Sequence, residues 1–230
     1  MIYPVPMQTS KTKRVNPELS EYLQAGEFID SDNERVRQFA AKSTSGSADP
    51  VKTAIELYYA VRDGIIYDPY YIGEDRRYYR ASACLQAGRG FCQAKSTLLA
   101  ACARVMAIPA RVGYADVRNH LTTARLDALV GGDVYVWHSY TELYLEGTWV
   151  KATPAFNLSL CERFDVLPLE FDGRTDSLFQ EFDRNGNRHM DYVQQRGHFV
   201  DLPYVQIIDA FQTHHPRWLA ARDKGEGDKF

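Results

Sequence analysis

The segment from Gly88 to Met106, GRGFCQAKSTLLAACARVM, carries a cysteine directly after a glycine-rich bend. Alanine and leucine then recur at helical spacing, which predicts a helix with one buried face that ends before Pro109. Cys92 is therefore predicted in the first turn of a helix, where unpaired backbone N–H groups and the helix dipole favour a thiolate. The same N–H groups can stabilise an oxyanion on an acyl substrate. These features favour a nucleophile, and the alternative is a small buried core residue.

A thiol nucleophile needs a base, usually histidine, and a third group that fixes the orientation of the imidazole ring. His138 is the best candidate for the base, because it lies in Val134–Leu145, a segment rich in β-branched and aromatic residues. Glu146–Gly147 predicts a turn into Trp149–Ala152, so His138 is predicted on the first strand of a hairpin. Such a strand is rigid enough to present the ring to a helix start, although a single strand histidine can also be purely structural.

The remaining elements are predicted to be helices before the cysteine segment and strands after it. The predicted helices are Pro17–Leu23, Ser31–Ala41 with Ser31 as its cap, and Val51–Ile65, and the first predicted strand is Ala110–Ala115. Further on, Leu178–Phe182 and His189–Val193 flank Asn185–Gly186, which predicts a second hairpin. Helices followed by antiparallel strands are typical of an α+β fold.

Composition excludes several classes of protein. The chain has 230 residues, enough for one domain with a full core, and its 45% hydrophobic and 25% charged content is ordinary for a globular protein. A net charge of −3 without a dense basic run argues against nucleic acid as a partner. No apolar run is long enough for a membrane span or a signal peptide, so we expect a cytoplasmic protein. The four cysteines form no C-x-x-C pair, so we expect free thiols, no metal site and no cofactor.

Two motifs in the chain resemble the core of transglutaminase-like proteins. The first is Gly90-x-Cys92 followed by Ile108–Pro109–Ala110–Arg111, and the second is Trp137–Tyr144, WHSYTELY, followed by Gly147 and Trp149. The match runs from about Val51 to Asn157. It implies a papain-like α+β fold in which N-terminal helices pack on an antiparallel sheet and the cysteine lies at a helix N-terminus. We expect a single domain over 1–230: an arm and helices to 50, the core motifs over 51–157, and an extension with a β-hairpin over 158–230.

The chain departs from that family at the third catalytic position. The family's aspartate lies four residues after the hairpin tryptophan, where this chain has Thr153. A threonine hydroxyl can accept the imidazole hydrogen bond but brings no charge, and Asn157 offers a carboxamide oxygen for a Cys-His-Asn arrangement. Gln86, six residues before Cys92, has the spacing of the oxyanion-stabilising glutamine of papain-like peptidases. Arg89 and Lys95 are expected to help hold a thiolate.

The resemblance implies cysteine-dependent acyl transfer on amide or peptide bonds, with Cys92 attacking and His138 protonating the leaving amine. Hydrolysis is favoured over crosslinking, because the chain has no room for the extra β-sandwich domains of the calcium-dependent crosslinkers. The expected partner is a peptide, a protein or a small amide, and the oligomeric state stays open. The alternative is a binding or scaffold module that has lost its chemistry, which Thr153 supports and the presence of both Cys92 and His138 opposes. A metal-binding role for the cysteines and histidines lacks ligand spacing.

Overall fold

A computed structural model describes residues 17–120, 123–178 and 190–221. Within these residues the α-helices are α1 (Glu34–Lys42), α2 (Pro50–Gly64), α3 (Ala81–Ala87), α4 (Cys92–Val105), α5 (Ala124–Val130), α6 (Leu158–Arg163), α7 (Tyr204–His214) and α8 (Pro216–Ala220). The strands are β1 (Ile66–Tyr67), β2 (Arg89–Gly90), β3 (Ala110–Asn119), β4 (Val134–Leu145), β5 (Thr148–Ala152) and β6 (Met190–Phe199). Short 3₁₀ helices cover Pro17–Leu23 and Arg76–Tyr79. Helices precede an antiparallel sheet, which confirms the predicted α+β fold.

The cysteine helix α4 is the centre of the fold. Every residue from Cys92 to Arg104 is buried, because α1, α2 and α3 pack around one side of the helix and β3 and β4 cover the other. The expectation of a single buried face is therefore wrong. The sequence pattern understated the burial because α4 carries buried polar residues, among them Lys95, which binds the end of α2, and Arg104, which binds the start of β3.

Those two buried cations bind backbone carbonyl groups. The Lys95 ammonium donates to the carbonyl oxygens of Arg62 at 2.9 Å and Ile65 at 2.6 Å, at the end of α2. The Arg104 guanidinium donates twice to the Ala110 oxygen, at 3.1 and 2.8 Å. A buried charge is costly unless it is hydrogen-bonded, so both side chains serve to fasten α4 to its neighbours.

The four-stranded sheet has the order β5-β4-β3-β6, with every neighbouring pair antiparallel. The β4–β5 pair is the predicted hairpin, in which Thr141 lies opposite Ala152. The predicted turn at Asn185–Gly186 lies outside the described residues, and β6 pairs along β3. A separate parallel pair joins β1 to β2, with Tyr67 opposite Gly90, and brings β1 beside the start of α4.

Other boundaries differ from the sequence predictions. The cap of α1 is Asn33 and not the predicted Ser31, because Asn33 directly precedes the helix. The Asn33 side chain accepts a hydrogen bond from the Arg35 N–H at 3.0 Å. Strand β3 extends to Asn119, four residues beyond its predicted end. Helices α3, α6, α7 and α8 were not predicted. In the parts of the chain that the structure describes, no helix is long and apolar enough to cross a membrane.

Candidate active site

Cys92 is the first residue of α4, which confirms the predicted helix start. Phe91 precedes it in extended conformation, and its side chain makes no capping hydrogen bond. The cap residue's side chain therefore does not occupy the backbone N–H groups at the start of α4. Gly90 is required by packing, because a Cβ atom there would lie 2.8 Å from the Cys84 sulfur and 3.0 Å from the Ala94 Cβ. The glycine of the G-x-C motif thus permits the tight approach that places the cysteine.

The Cys92 thiol is almost fully buried, with 5% of the residue exposed. Burial raises the pKa of the thiol to about 11. Hydrogen bonding from the Ser139 backbone and hydroxyl, and from the backbone of Gln93 and Cys92, lowers the pKa but does not offset the burial. Desolvation outweighs the helix start, so the resting thiol is neutral and not the expected thiolate. The N–H groups around the sulfur are nevertheless those that an oxyanion on a bound carbonyl would need.

His138 lies on β4, between two residues that bind the start of α4. The Gln93 amide nitrogen donates to the Trp137 oxygen at 3.1 Å, and the Ser139 hydroxyl donates to the Ser96 hydroxyl at 3.2 Å. Burial lowers the pKa of His138 to about 4, so the ring is neutral. Among the described residues, Nε2 of His138 has no hydrogen-bond partner and no bond joins the ring to the Cys92 sulfur.

The two candidates for the third group differ in their availability. Thr153 is held by its backbone, with its N–H donating to Ser177 at 2.9 Å and its carbonyl accepting from the Tyr58 hydroxyl at 3.2 Å. Its hydroxyl Oγ1 is buried and has no partner within the described chain. The Asn157 carboxamide is occupied, because Oδ1 accepts from the Tyr67 N–H at 3.0 Å and Nδ2 donates to Ser159 at 2.7 Å.

Two of the auxiliary residues expected near the thiol have other partners. The third, Gln86, is an exposed residue of α3, and its oxyanion role stays a prediction. Lys95 points to the end of α2, and Arg89 pairs with Asp68 at 3.2 Å, so both cations have other partners. The polar groups at the thiol are instead backbone N–H groups and Ser139.

A β-bulge lies immediately before His138. Trp137 adopts φ of 57°, in the left-handed region that a bulky residue rarely enters, and the β3–β4 register shifts between Ala115 and Val117. The backbone groups freed by the bulge are bound by three side chains: one from β3, one from α4 and one from the junction between α7 and α8. Oδ1 of Asp116 accepts from the Trp137 N–H at 3.0 Å, Gln93 binds the Trp137 oxygen at 3.1 Å, and Nε2 of His215 accepts from the Val136 N–H at 3.2 Å.

Asp116 is itself held in place by Arg196 of β6. The guanidinium donates to both carboxylate oxygens, at 3.0 and 2.6 Å, and lies over the Trp137 ring at 5.8 Å from its centre. Asp116 is only 4% exposed, so this is a well-ordered, charge-assisted pair. Sequence reasoning missed Asp116 because the predicted strand stopped at Ala115, and an acidic residue inside a strand of otherwise apolar pattern is the signal that was available.

A narrow apolar cleft adjoins His138. It is lined by residues from the sheet, from β1 and from the α6 region: Tyr67, Val117, Asn119, Leu126, Tyr135, His138, Phe156, Leu160, Phe164, Val166 and Met190. Burial raises the pKa of the Tyr67 phenol well above its usual range, and a charge on Cys92 would raise it further. Tyr67 also lies opposite Gly90 in the β1–β2 pair, so this wall of the cleft is beside the strand that leads to Cys92. Across the described ranges, no three His, Cys, Asp or Glu side chains are grouped so that they could hold a metal ion.

The chain is similar to a family model and to two solved structures. The family model of the transglutaminase-like superfamily matches residues 37–154, which include Cys92, His138 and Thr153. A putative cysteine protease from Cytophaga hutchinsonii is similar in structure, with a TM-score of 0.51 and 16% identity, over 84% of this chain and 50% of that chain. A putative protease from Parabacteroides distasonis has a TM-score of 0.38 and 15% identity, over 59% of this chain and 25% of that chain.

The first of these likenesses shows the shared fold, and the chain spans half the length of that protein. No curated protein matches the sequence. The family model covers just over half of the chain, from α1 to the residue after Thr153. On that match, together with the cysteine helix and the histidine hairpin, the chain belongs to the transglutaminase-like superfamily.

Proposed function

We propose that this protein hydrolyses amide or peptide bonds, with Cys92 as nucleophile and His138 as general base and acid. The observation that carries this proposal is the junction between α4 and β4, where the residues on either side of His138 bind the start of α4: Gln93 donates to the Trp137 oxygen and Ser139 donates to Ser96. A thiol at a helix start beside a histidine on a rigid strand is the arrangement that thiol-dependent acyl transfer needs.

The chemistry starts from a neutral pair. His138 takes the proton from the Cys92 thiol as the sulfur attacks the carbonyl carbon, and the oxyanion that forms is stabilised by backbone N–H groups at the start of α4. The imidazolium then donates its proton to the amine nitrogen, the C–N bond breaks, and a thioester remains on Cys92. Water attacks the thioester with His138 as its base, which releases the carboxylic acid and restores the thiol.

Burial favours water over an amine side chain as the second substrate. Only 5% of Cys92 is exposed, and the adjoining cleft is narrow and apolar. A water molecule reaches such a thioester easily, whereas a protein lysine would have to bring its ammonium group out of solvent at a high desolvation cost. Hydrolysis is therefore favoured over crosslinking.

One observation favours a second function, a non-catalytic binding module. Burial raises the pKa of Cys92 to about 11 and lowers that of His138 to about 4, which is the opposite of an activated thiolate–imidazolium pair. A site with such neutral groups and a threonine at the aspartate position fits a protein that kept the fold and lost the reaction.

The experiment that separates the two functions is acylation by an activated ester. p-Nitrophenyl butyrate needs no protonation of its leaving group, so it reports on the nucleophile alone. We expect a burst of about one equivalent of p-nitrophenolate and, after acid quench, a butyryl mass increase on the peptide that contains Cys92. The other cysteines, all buried, serve as internal controls. A burst that is absent, or a label on other residues, would show that Cys92 is not the nucleophile.

Asp116 is expected to position His138 through the bulge. Replacing it with alanine leaves the buried Trp137 N–H without an acceptor, a loss of about 1–3 kcal/mol, and we expect Cys92 acylation to slow about 10- to 100-fold. Asp116→Asn retains an amide oxygen facing that N–H and should recover most of the rate. Asp133→Ala removes an exposed carboxylate directly before β4, the strand that carries His138, and should leave the rate unchanged. Wild-type acylation in a folded Asp116→Ala variant would contradict this role.

A further inference from the structure

We propose that the cleft beside His138 binds the acyl side of the substrate and selects an uncharged, aliphatic or aromatic group there. This inference rests on the proposed function, because it assigns a substrate class to the same Cys92 site. The preferred substrates are then amides whose carbonyl carbon carries a hydrocarbon group of several carbons, such as a fatty acyl chain or a peptide residue with an apolar side chain.

The position of the cleft assigns it to the acyl side. Its wall contains His138, the proposed general base, and Tyr67 of β1. Tyr67 is also opposite Gly90 in the β1–β2 pair, two residues before the nucleophile. Cys92 is not itself a lining residue, but the cleft lies against the proposed base and beside the strand pair that leads into the cysteine helix. The acyl group is the part of the substrate that stays on Cys92 after the amine leaves, so we assign the cleft to that group.

The lining of the cleft determines what it can accept. Apart from Asn119 and His138, its residues are aliphatic or aromatic, and none of the eleven is Asp, Glu, Lys or Arg. A charged group that entered would lose its hydration and find no oppositely charged side chain among these described lining residues, whereas a hydrocarbon group gains by leaving water. Burial of two to four additional CH₂ groups, the difference between acetate and the longer acyl groups, corresponds to about a 10- to 100-fold preference in acylation rate.

Much of this wall comes from outside the region that defines the family. Phe156, Leu160, Phe164 and Val166 follow the end of the family match at residue 154, and Met190 begins β6. The Phe156 ring packs edge-on against Tyr67, with 4.8 Å between their centres. The selectivity of the cleft therefore depends on this chain's own segment after the hairpin and does not follow from the family motifs.

The test is a series of p-nitrophenyl esters with matched acyl groups: acetate, butyrate, hexanoate and hemisuccinate. Each rate of Cys92 acylation is divided by the rate with N-acetylcysteine, which corrects for the reactivity of the ester itself. We expect hexanoate to exceed acetate by about 10- to 100-fold and butyrate to exceed hemisuccinate, its carboxylate counterpart, by at least about 10-fold.

Variants of lining residues test whether this cleft is the site that binds the acyl group. Leu160→Ala in α6 should widen the cleft and reduce the hexanoate-to-acetate ratio about 10-fold, and Leu126→Ala in α5 should do the same from a separate element if the α6 variant fails to fold. Leu158→Ala is the matched control, since Leu158 lies on the same helix as Leu160 but is 42% exposed. This variant should keep the wild-type ratio.

The outcomes distinguish the two levels of the proposal. Equal corrected rates for all four esters, with the label on Cys92, would overturn the apolar acyl site and leave the proposed hydrolase in place. A preference for hemisuccinate, or one that Leu160→Ala and Leu126→Ala leave unchanged, would also overturn it. No label on Cys92 with any ester would overturn the proposed function and, with it, this inference.

Discussion

Replacing Cys92 with serine is expected to lower ester and amide hydrolysis by about 10³-fold or more, because a neutral hydroxyl in this buried site is a far weaker nucleophile than sulfur. The folded structure should persist, since serine is slightly smaller and retains a hydrogen-bonding group for Ser139. Initial rates with p-nitrophenyl butyrate measure the activity, and the thermal unfolding midpoint of the same preparation shows whether the variant is folded.

The matched control for that variant is Cys161→Ser. Cys161 is fully buried in α6, and its sulfur lies 4.0 Å from the Phe156 oxygen, to which a serine hydroxyl can still donate. We expect this second variant to keep nearly full activity, which would show that removing a buried thiol is not damaging in itself. A Cys92→Ser enzyme with more than about a tenth of the wild-type rate would place the nucleophile at another residue.

The parts of the site that sequence could predict are those with a local signal. Glycine before Cys92 and the alanine–leucine pattern after it are sufficient to predict a helix that starts at the cysteine, and the turn at Glu146–Gly147 is sufficient to predict the hairpin that carries His138. Both depend on residues within one turn or one strand of each other. The resemblance to the family then linked two elements that lie more than 40 residues apart.

The parts that sequence could not predict depend on contacts between distant segments. Asp116 and Arg196 are separated by 80 positions, and their pairing exists only because β6 joins the edge of β3. The occupation of Asn157 by the Tyr67 N–H likewise spans 90 positions. Burial of Cys92 is a third case, because the helix start favours a thiolate locally while packing on both sides of α4 raises the pKa of the thiol.

Introducing a carboxylate at position 153 is expected to activate the thiol. Nε2 of His138 and Oγ1 of Thr153 are each buried without a hydrogen-bond partner among the described residues, so the two are not bonded to each other but both are available. The Asn157 carboxamide is already occupied, and we therefore place the carboxylate at position 153. In Thr153→Asp, an aspartate beside the imidazole would raise the pKa of His138 from about 4 by about 1–3 units and favour a thiolate–imidazolium pair.

Iodoacetamide alkylation of Cys92, followed by mass spectrometry of each thiol from pH 5 to 10, measures that change. The wild-type rate should climb with pH toward the thiol pKa of about 11, whereas Thr153→Asp should react at least about 10-fold faster at pH 7 and show a plateau. Because the new carboxylate is buried, some loss of stability is expected, and the unfolding midpoint shows whether each sample is folded.

Asn157→Asp is the comparison that decides between the two positions. Its carboxylate can still accept from the Tyr67 N–H, so it adds the same charge four residues away with little change in local bonding. If position 153 faces the ring, Asn157→Asp should alkylate at nearly the wild-type rate. An increase for Asn157→Asp alone would assign the orienting role to Asn157. If neither carboxylate accelerates alkylation while both proteins are folded, His138 does not control the thiol, and the neutral pair belongs to a binding module that has lost its reaction.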